Sequence, residues 1–366
     1  MDEFARIRHW TGERQSAAWQ RQRGVVVGIG DDTAVIDPAA ADDGVAAPKR
    51  LLMAVDTMVE TIHFKPSTMR DEDVGFKALA ANISDIAAMG GVPLHALVSV
   101  SVPPSYTPER MRRLYEGLYE CAERYGVAVV GGDTTSSPEQ LVVAVTVTGT
   151  VEAGHELLRS GAKPGDAVFL TGAVGMSAAG LHALLSQEEA TAAQSREPAD
   201  LYEQQVDAIA MRCGMKREQI EALVHAHRQP NPSVRAGRLL LQSGVCTALN
   251  DVSDGLASEA WEIAEASGLR LLLRESNLPK SGSMAAYAAS CAADPLEWML
   301  YGGEDYVLLG TMAAEAAEEL RNSFRQEGIP FFVIGETEAG IPGVELAMYS
   351  GKRVQVNKRG YNHFTS

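Results

Sequence analysis

The sequence predicts a mixed α+β protein of the α/β class in two domains, and three observations predict it. At 366 residues the chain exceeds the ~100–200 residues of a typical domain. Short β-branched runs bounded by Gly, Asp and Pro alternate with amphipathic helical stretches in both halves. Between the halves, Gly161-Ala162-Lys163-Pro164-Gly165-Asp166 reads as a turn, which sets a boundary near Gly154 to Asp166 and divides the chain into residues 1–153 and 154–366. With 46% hydrophobic and 22% charged residues the chain can bury a sizeable core, which excludes disorder and fibrous architecture.

In order along the chain, Val25 to Gly28, Thr33 to Ile36 and Leu51 to Asp56 read as strands. Asp71 to Met89 puts Val74, Ala78, Asn82, Ile83, Ile86 and Met89 at helical spacing, opens on acidic residues suited to a helix N-terminus and stops at Gly90-Gly91. A strand Leu94 to Val102, a helix Pro108 to Tyr125 closed by Gly126, a strand Val127 to Val130 and an alternating strand Leu141 to Val151 complete the first half. The second half has a strand Ala167 to Thr171, one helical stretch from about Ser177 to Gln229, and a break at Pro230-Asn231-Pro232-Ser233. Helix Val234 to Gln242 and strands Val245 to Leu249 and Val307 to Gly310 follow.

Lys plus Arg total 32 against 48 Asp plus Glu, a formal charge of −16 that disfavours nucleic acid and anionic membrane as partners. A polyanionic substrate would need cations beside it. The N-terminus lacks the apolar region of a signal peptide and no apolar run reaches the ~18–20 residues of a membrane span, so the expected location is the cytoplasm. Cys121, Cys213, Cys246 and Cys291 are too dispersed for a CxxC motif, which leaves oxygen as the ligand for any metal.

Carboxylates and glycines recur at predicted strand ends. Gly28-Ile29-Gly30-Asp31-Asp32 follows an apolar strand but lacks the third glycine of a dinucleotide turn and puts two aspartates where a pyrophosphate would lie. Val55-Asp56-Thr57, Gly131-Gly132-Asp133-Thr134-Thr135 and Asn250-Asp251-Val252-Ser253-Asp254-Gly255 repeat the arrangement, and Asn82 and Asp85 share one helix face at i and i+3. One such aspartate is an ordinary cap. The set Asp32, Asp56, Asp85, Asp133, Asp251 and Asp254, with no His or Cys partners, reads as Mg2+ and phosphate chemistry, because hard cations take carboxylate oxygens together with substrate phosphates.

Leu170-Thr171-Gly172-Ala173-Val174-Gly175-Met176-Ser177 could offer backbone N–H groups to a phosphate but lacks the Lys-Ser/Thr pair of a P-loop, so a tight turn packed on a helix is preferred. Tyr301-Gly302-Gly303-Glu304-Asp305-Tyr306 puts an acidic pair either beside a ligand or on an exposed hairpin. His63 is open between general base, substrate contact and surface residue, Arg159 between phosphate clamp and salt bridge, and Tyr115 reads by default as packing. No Gly-x-Ser-x-Gly, His-Glu-x-x-His or protein-kinase signature supports a covalent nucleophile.

Taken with His63-Phe64, the run from Lys77 through Asn82-Ile83-Ser84-Asp85 to Gly90, Arg159-Ser160-Gly161 and the terminal Gly360-Tyr361-Asn362-His363-Phe364, these motifs resemble the thiamine-monophosphate kinase family of the aminoimidazole ribonucleotide synthetase superfamily. The resemblance is colinear over nearly the whole chain. It implies a two-domain synthetase-like fold, with an N-terminal domain that forms a dimeric β-structure with its copy in a homodimer and a C-terminal α/β domain. It also implies transfer of the ATP γ-phosphoryl group to thiamine monophosphate. By the same resemblance Asp32, Asp56, Asp85, Asp133, Asp251 and Asp254 would hold several Mg2+ ions. Tyr115, Gly132, Asp133, Arg159 and Ser253 would lie near the nucleotide, and His63 and Glu304 near the thiamine end. Two positions depart from the family: Ala54-Val55 stands where Ser-Thr usually precedes Asp56, and Lys358-Arg359 where some relatives carry an aromatic residue.

The acceptor is a phosphate monoester already ionised near neutral pH, so direct transfer without a phosphorylated enzyme is expected. A selenophosphate synthetase would need a reactive Cys in an N-terminal glycine-rich loop, whereas the first cysteine here is Cys121. Another ATP-using synthetase of the superfamily and a non-catalytic nucleotide-binding scaffold are the alternatives.

Overall fold

The computed structural model describes residues 18, 25–27, 31, 34–37, 49–191 and 198–360. Asp32, the Gly28-Ile29-Gly30 turn and the terminal Tyr361-Asn362-His363-Phe364 lie outside the described residues. Six strands, β1 (Val25–Val27), β2 (Ala34–Ile36), β3 (Lys49–Val59), β4 (Val92–Val102), β5 (Ala128–Ser136) and β6 (Val142–Glu152), form a sheet in the order β1-β2-β3-β6-β4-β5. Its pairs are antiparallel except β4 and β5, which are parallel and joined by helix α2 (Pro108–Tyr125).

Helix α1 (Asp71–Ala88) is buried along almost its whole length, because its alanines let neighbours approach from every side. It packs Phe76, Leu79, Ile83 and Ile86 with Val143, Val145 and Val147 of β6 and Leu114 and Leu118 of α2 in the first core. Gly75 and Gly117 mark the α1/α2 crossing: a Cβ on Gly117 would lie 1.8 Å from the Glu72 carbonyl oxygen, and one on Gly75 the same distance from that of Leu114.

The opposite face of the sheet is open. Met53, Val55 and Leu97 are exposed large apolar side chains there, with Val55 at 63%, while Ala144, Thr146, Thr148 and Thr150 alternate with the buried valines of β6.

The second sheet orders β7 (Ala167–Leu170), β8 (Cys246–Asp251), β9 (Arg270–Arg274), β10 (Leu308–Met312), β11 (Phe332–Glu338), β12 (Gly343–Ala347) and β13 (Arg353–Gln355) as β13-β12-β9-β11-β7-β10-β8. Both faces of β7 are covered, which accounts for its unbroken apolar run. Val168 and Leu170 join a core with α3 (Met176–Thr191), α4 (Pro198–Cys213), α5 (Arg217–Arg228), α7 (Leu256–Ser267), α8 (Gly282–Cys291) and α9 (Pro295–Tyr301). Ala167 and Phe169 pack against α6 (Val234–Ser243) and α10 (Ala317–Gln326).

The single helical stretch expected over residues 177–229 is therefore three helices; Gly214, with φ +63°, separates the last two. The strand expected to end at Val130 runs on to Ser136, so Asp133 stands within an edge strand rather than in a turn, and β3 continues three residues past Asp56. Backbone pairing with β4 holds both glycines of Gly131-Gly132 in extended register, which local turn propensity could not reveal. No helix of the described residues is long and apolar enough to cross a membrane. All four cysteines are free thiols.

Candidate functional site

The C-terminal end of β8 delivers Asp251 into the seam between the two sheets' domains, where it is buried and accepts a 2.5 Å hydrogen bond from Ser84 Oγ of α1. Burial pushes its pKa up to about 6, and the nearby carboxylates of Asp56 and Glu262 add to the rise while Ser84 and Arg159 oppose it. Asp85, the neighbour of Ser84, is half-buried, so α1 does not enclose that carboxylate as its apolar helix face suggested. Asn82 is the fully buried member of that pair and donates to the Ala78 carbonyl.

Behind Asp251 a polar lattice shapes the Ser253-Asp254 turn. Glu259, one turn into α7, accepts from the Asp254 backbone N–H at 3.0 Å, from Ser253 Oγ at 3.4 Å and from Asn250 Nδ2 at 2.6 Å. Burial raises its pKa well above the usual range, with Glu262 and Asp254 adding to the effect. Arg159 is neither a solvated surface cation nor unengaged: it donates to Asn250 Oδ1 at 3.1 Å, pairs with Glu262 at 2.9 Å, and its backbone N–H reaches Asp31 at 3.3 Å. Glu259 and Glu262 were not singled out by sequence. Their i,i+3 spacing just after an acidic turn was the available signal.

The Gly302-Gly303-Glu304-Asp305-Tyr306 segment is zipped to this turn rather than exposed as a hairpin. Glu304 N–H donates to Ser253 O at 2.6 Å and Tyr306 N–H to Val252 O at 2.9 Å. Only glycine fits at 303, where a Cβ would lie 2.4 Å from the Ser253 carbonyl oxygen. Glu304 Oε2 receives Lys77 Nζ at 2.6 Å, and Asp305 accepts the backbone N–H groups of Gly175 at 2.5 Å and Ser177 at 3.2 Å. The glycine turn before α3 thus binds an internal carboxylate where a phosphate was the alternative reading. Burial lifts Asp305 to about 7, against the pull of those N–H groups. The buried Tyr306 hydroxyl is pushed well above its ordinary pKa, by burial first and then by Glu304, Asp56, Asp251 and Asp254. Four carboxylates from both domains therefore share one field.

Other expected site residues stand apart. Asp133 pairs in register with Ser99, which pairs with Ala144, which pairs with Thr57, a row on the open face; Asp56 pairs with Val145 in the adjacent row, on the helix-covered face. Gly132 is required sterically, since a Cβ would lie 1.8 Å from the Val98 carbonyl oxygen. Tyr115 is half-buried on α2, its ring 6.5 Å from that of Tyr119. His63 Nδ1 accepts the Val59 backbone N–H at 2.9 Å, which places the ring proton of the neutral tautomer on Nε2. At the departures from the family pattern, Val55 faces outward from β3, Lys358 pairs with Glu265, and Arg359 pairs with Glu297 and lies 4.1 Å over the Tyr301 ring.

The donor set suits Mg2+: it is all oxygen, and the burial, with the lesser repulsion from Asp56 and Glu262, that raises Asp251 is what a hard cation offsets. Among the described residues no three His, Cys, Asp or Glu side chains converge closely enough to hold a metal by themselves. One or two carboxylates completed by substrate phosphates is the usual Mg2+ arrangement.

Comparison with known proteins agrees with this architecture. The family AIR synthase related protein, N-terminal domain, matches residues 30–151, and its C-terminal domain counterpart matches residues 163–345. A thiamine-monophosphate kinase of Bacillus subtilis is 41% identical over 93% of this chain and 94% of its own. A solved structure described as AaThiL complexed with AMPPCP and TMP superposes with TM-score 0.77 at 30% identity, covering 99% of this chain and 97% of the other. A thiamine-monophosphate kinase from Stenotrophomonas maltophilia gives TM-score 0.69 at 29% identity over 93% and 94%. The chain belongs to the AIR synthase related proteins and, within them, to the thiamine-monophosphate kinase family of phosphotransferases.

Proposed function

We propose that this protein transfers the γ-phosphoryl group of ATP to the phosphate of thiamine monophosphate, giving thiamine diphosphate and ADP. The observation that carries the reading is the seam itself, where Asp251 at the end of β8 accepts from Ser84 of α1 and the turn that follows it is joined to the Glu304 segment by backbone hydrogen bonds. That seam can bring a nucleotide and a phosphorylated acceptor together under one set of carboxylates. The relative that binds an ATP analogue together with TMP supports the same pairing of substrates.

In this proposal Asp56, Asp85, Asp251 and Asp254 would hold Mg2+ at the seam, and Asp32 and Asp133, the latter on the opposite face of the sheet, would supply ligands to further Mg2+. When bound, Mg2+ neutralises the phosphate oxygens of two anionic reactants. The protein's own part is positioning. Glu259 fixes the Ser253-Asp254 turn, Ser84 orients Asp251, and Arg159, held by Asn250 and Glu262, presents a guanidinium of fixed direction to the nucleotide side with Gly132, Asp133 and Tyr115. His63 and Glu304 face the thiamine end. The acceptor phosphate attacks the γ-phosphorus in line, and no residue is phosphorylated.

The reading includes a homodimer, supported by the open face of the first sheet, where Met53, Val55 and Leu97 would be covered by a second copy and where Asp133 would then lie at the subunit junction. Four free thiols and the use of ATP suit a cytoplasmic location. The test is ADP release with ATP and Mg2+ on adding thiamine monophosphate. Acceptor-dependent release supports the reading, and release that ignores the acceptor rejects it.

A further inference from the structure

Lys77, His227 and Glu304 meet in the seam from three separate elements, α1, α5 and the segment before β10. Lys77 is 0% exposed and His227 1%. Lys77 Nζ lies 2.6 Å from Glu304 Oε2, and His227 Nδ1 lies 3.4 Å from the same oxygen, 3.4 Å from Lys77 Nζ and 3.3 Å from Ser177 Oγ. His227 Nε2 has no hydrogen-bonding partner among the described residues. The arrangement is one-sided: both groups address Oε2, no described residue hydrogen-bonds Oε1, and the Glu304 side chain stays 29% exposed.

The backbone is arranged for the same end. Glu304 and Tyr306 have φ +65° and +50°, the left-handed region that non-glycine residues avoid, and the hydrogen bonds to Ser253 and Val252 hold them there. Left-handed backbone at Glu304, next to a partly exposed carboxylate, is consistent with a group aimed at a ligand.

We infer that Lys77 and His227 are positioning residues that fix Oε2 of Glu304 from the two domains and so present Oε1, already ordered, to the cationic, amino-bearing ring system of the acceptor. The inference rests on the reading of Glu304 as an acceptor-side residue. A glutamate free to rotate would lose its freedom on binding and oppose affinity, and here the fold has already ordered it. The charge state agrees: burial would raise the Glu304 pKa, but the Lys77 ammonium and then His227 outweigh it and hold the carboxylate at about 2, fully ionised.

The test compares Lys77→Met, Glu304→Gln and the double variant by steady-state kinetics with thiamine monophosphate and ATP varied in turn. Lys77→Met is expected to raise the KM for thiamine monophosphate about tenfold or more, with the KM for ATP within about twofold. The double variant is expected to be no worse than Glu304→Gln alone, because Lys77 acts through that carboxylate. His227→Leu should give a smaller effect of the same kind, restored in part by His227→Asn. Additive losses, or equal rises in both KM values, overturn the inference. If Lys77→Met fails to fold, Lys77→Arg replaces it in the same cycle. A wild-type chain that does not bind thiamine monophosphate overturns the acceptor reading instead. In that case the 15N imidazole resonances of His227 report on the triad: they shift in Glu304→Gln if the groups are coupled and stay unchanged if they are not.

Discussion

Replacing Gly117 by Ala tests the account of how α1 is held. In an uncrowded helix the change would stabilise by about 1 kcal/mol, since alanine gives up less backbone freedom. At Gly117 the new Cβ would stand 1.8 Å from the Glu72 carbonyl oxygen and 2.6 Å from its carbon, backbone atoms that cannot swing aside. Reaching an ordinary contact of about 3.4 Å requires the helices to part by about 3.4 − 1.8 = 1.6 Å, which strips contacts from Leu114, Leu118, Phe76 and Leu79. Overpacking of that kind costs about 1–3 kcal/mol or more, so a net loss near 2 kcal/mol is expected after the propensity gain. That corresponds to a fall in Tm of about 4–8 °C, at about 2–4 °C per kcal/mol for a domain of this size. Thermal unfolding followed by circular dichroism measures it, with Gly282→Ala as control because nothing lies within 4 Å of a Cβ there. An unchanged or higher Tm for Gly117→Ala would refute the crossing.

Asp85→Asn and Asp133→Asn should keep the fold, since one side chain is half-buried and the other exposed, yet lose most activity, about 100-fold or more; near-normal turnover at saturating Mg2+ would remove the metal role. His63→Ala should raise the KM for thiamine monophosphate about fivefold or more while leaving ATP binding in place, and an equal loss for ATP would put His63 elsewhere. Arg238 holds Glu152 at a pKa of about 2 through paired hydrogen bonds of 2.7 and 2.8 Å. Because the folded value is depressed, this contribution is present above about pH 4.5 and lost as pH falls toward 2. With Glu152 41% exposed the pair is worth at most about 1 kcal/mol, so the Tm gap between wild type and Arg238→Met should be a few degrees at neutral pH and should shrink on acidification. Incubation with γ-labelled ATP and Mg2+ in the absence of acceptor should leave the chain unlabelled; stoichiometric label that chases into product would establish a phosphorylated enzyme.

Much of this architecture was legible because it rests on short-range pattern. The alternation of β6, the acidic opening of α1 and the glycine stop after α2 each have a local cause, and the structure keeps all three. Placement of the carboxylates was legible only in part. Asp251 ends its strand as expected, but Asp133 was assigned to a turn because Gly131-Gly132 breaks the local pattern, whereas pairing with β4 carries the strand through. That same register puts Asp133 on the opposite face from Asp56, a relation that depends on which strands become neighbours and is invisible along the chain. His227 looked like one polar residue in a uniform helical stretch. Its meaning comes from Lys77 and Glu304, 150 and 77 residues away, brought together only by the docking of the two domains.

The most direct measurement is the identity and stoichiometry of the products from purified protein, ATP, Mg2+ and thiamine monophosphate, resolved by 31P NMR. The account predicts one thiamine diphosphate for each ADP, with the former γ-phosphorus at the terminal position and no reaction when the acceptor or Mg2+ is omitted. ADP and inorganic phosphate accumulating while thiamine monophosphate remains unchanged would contradict it.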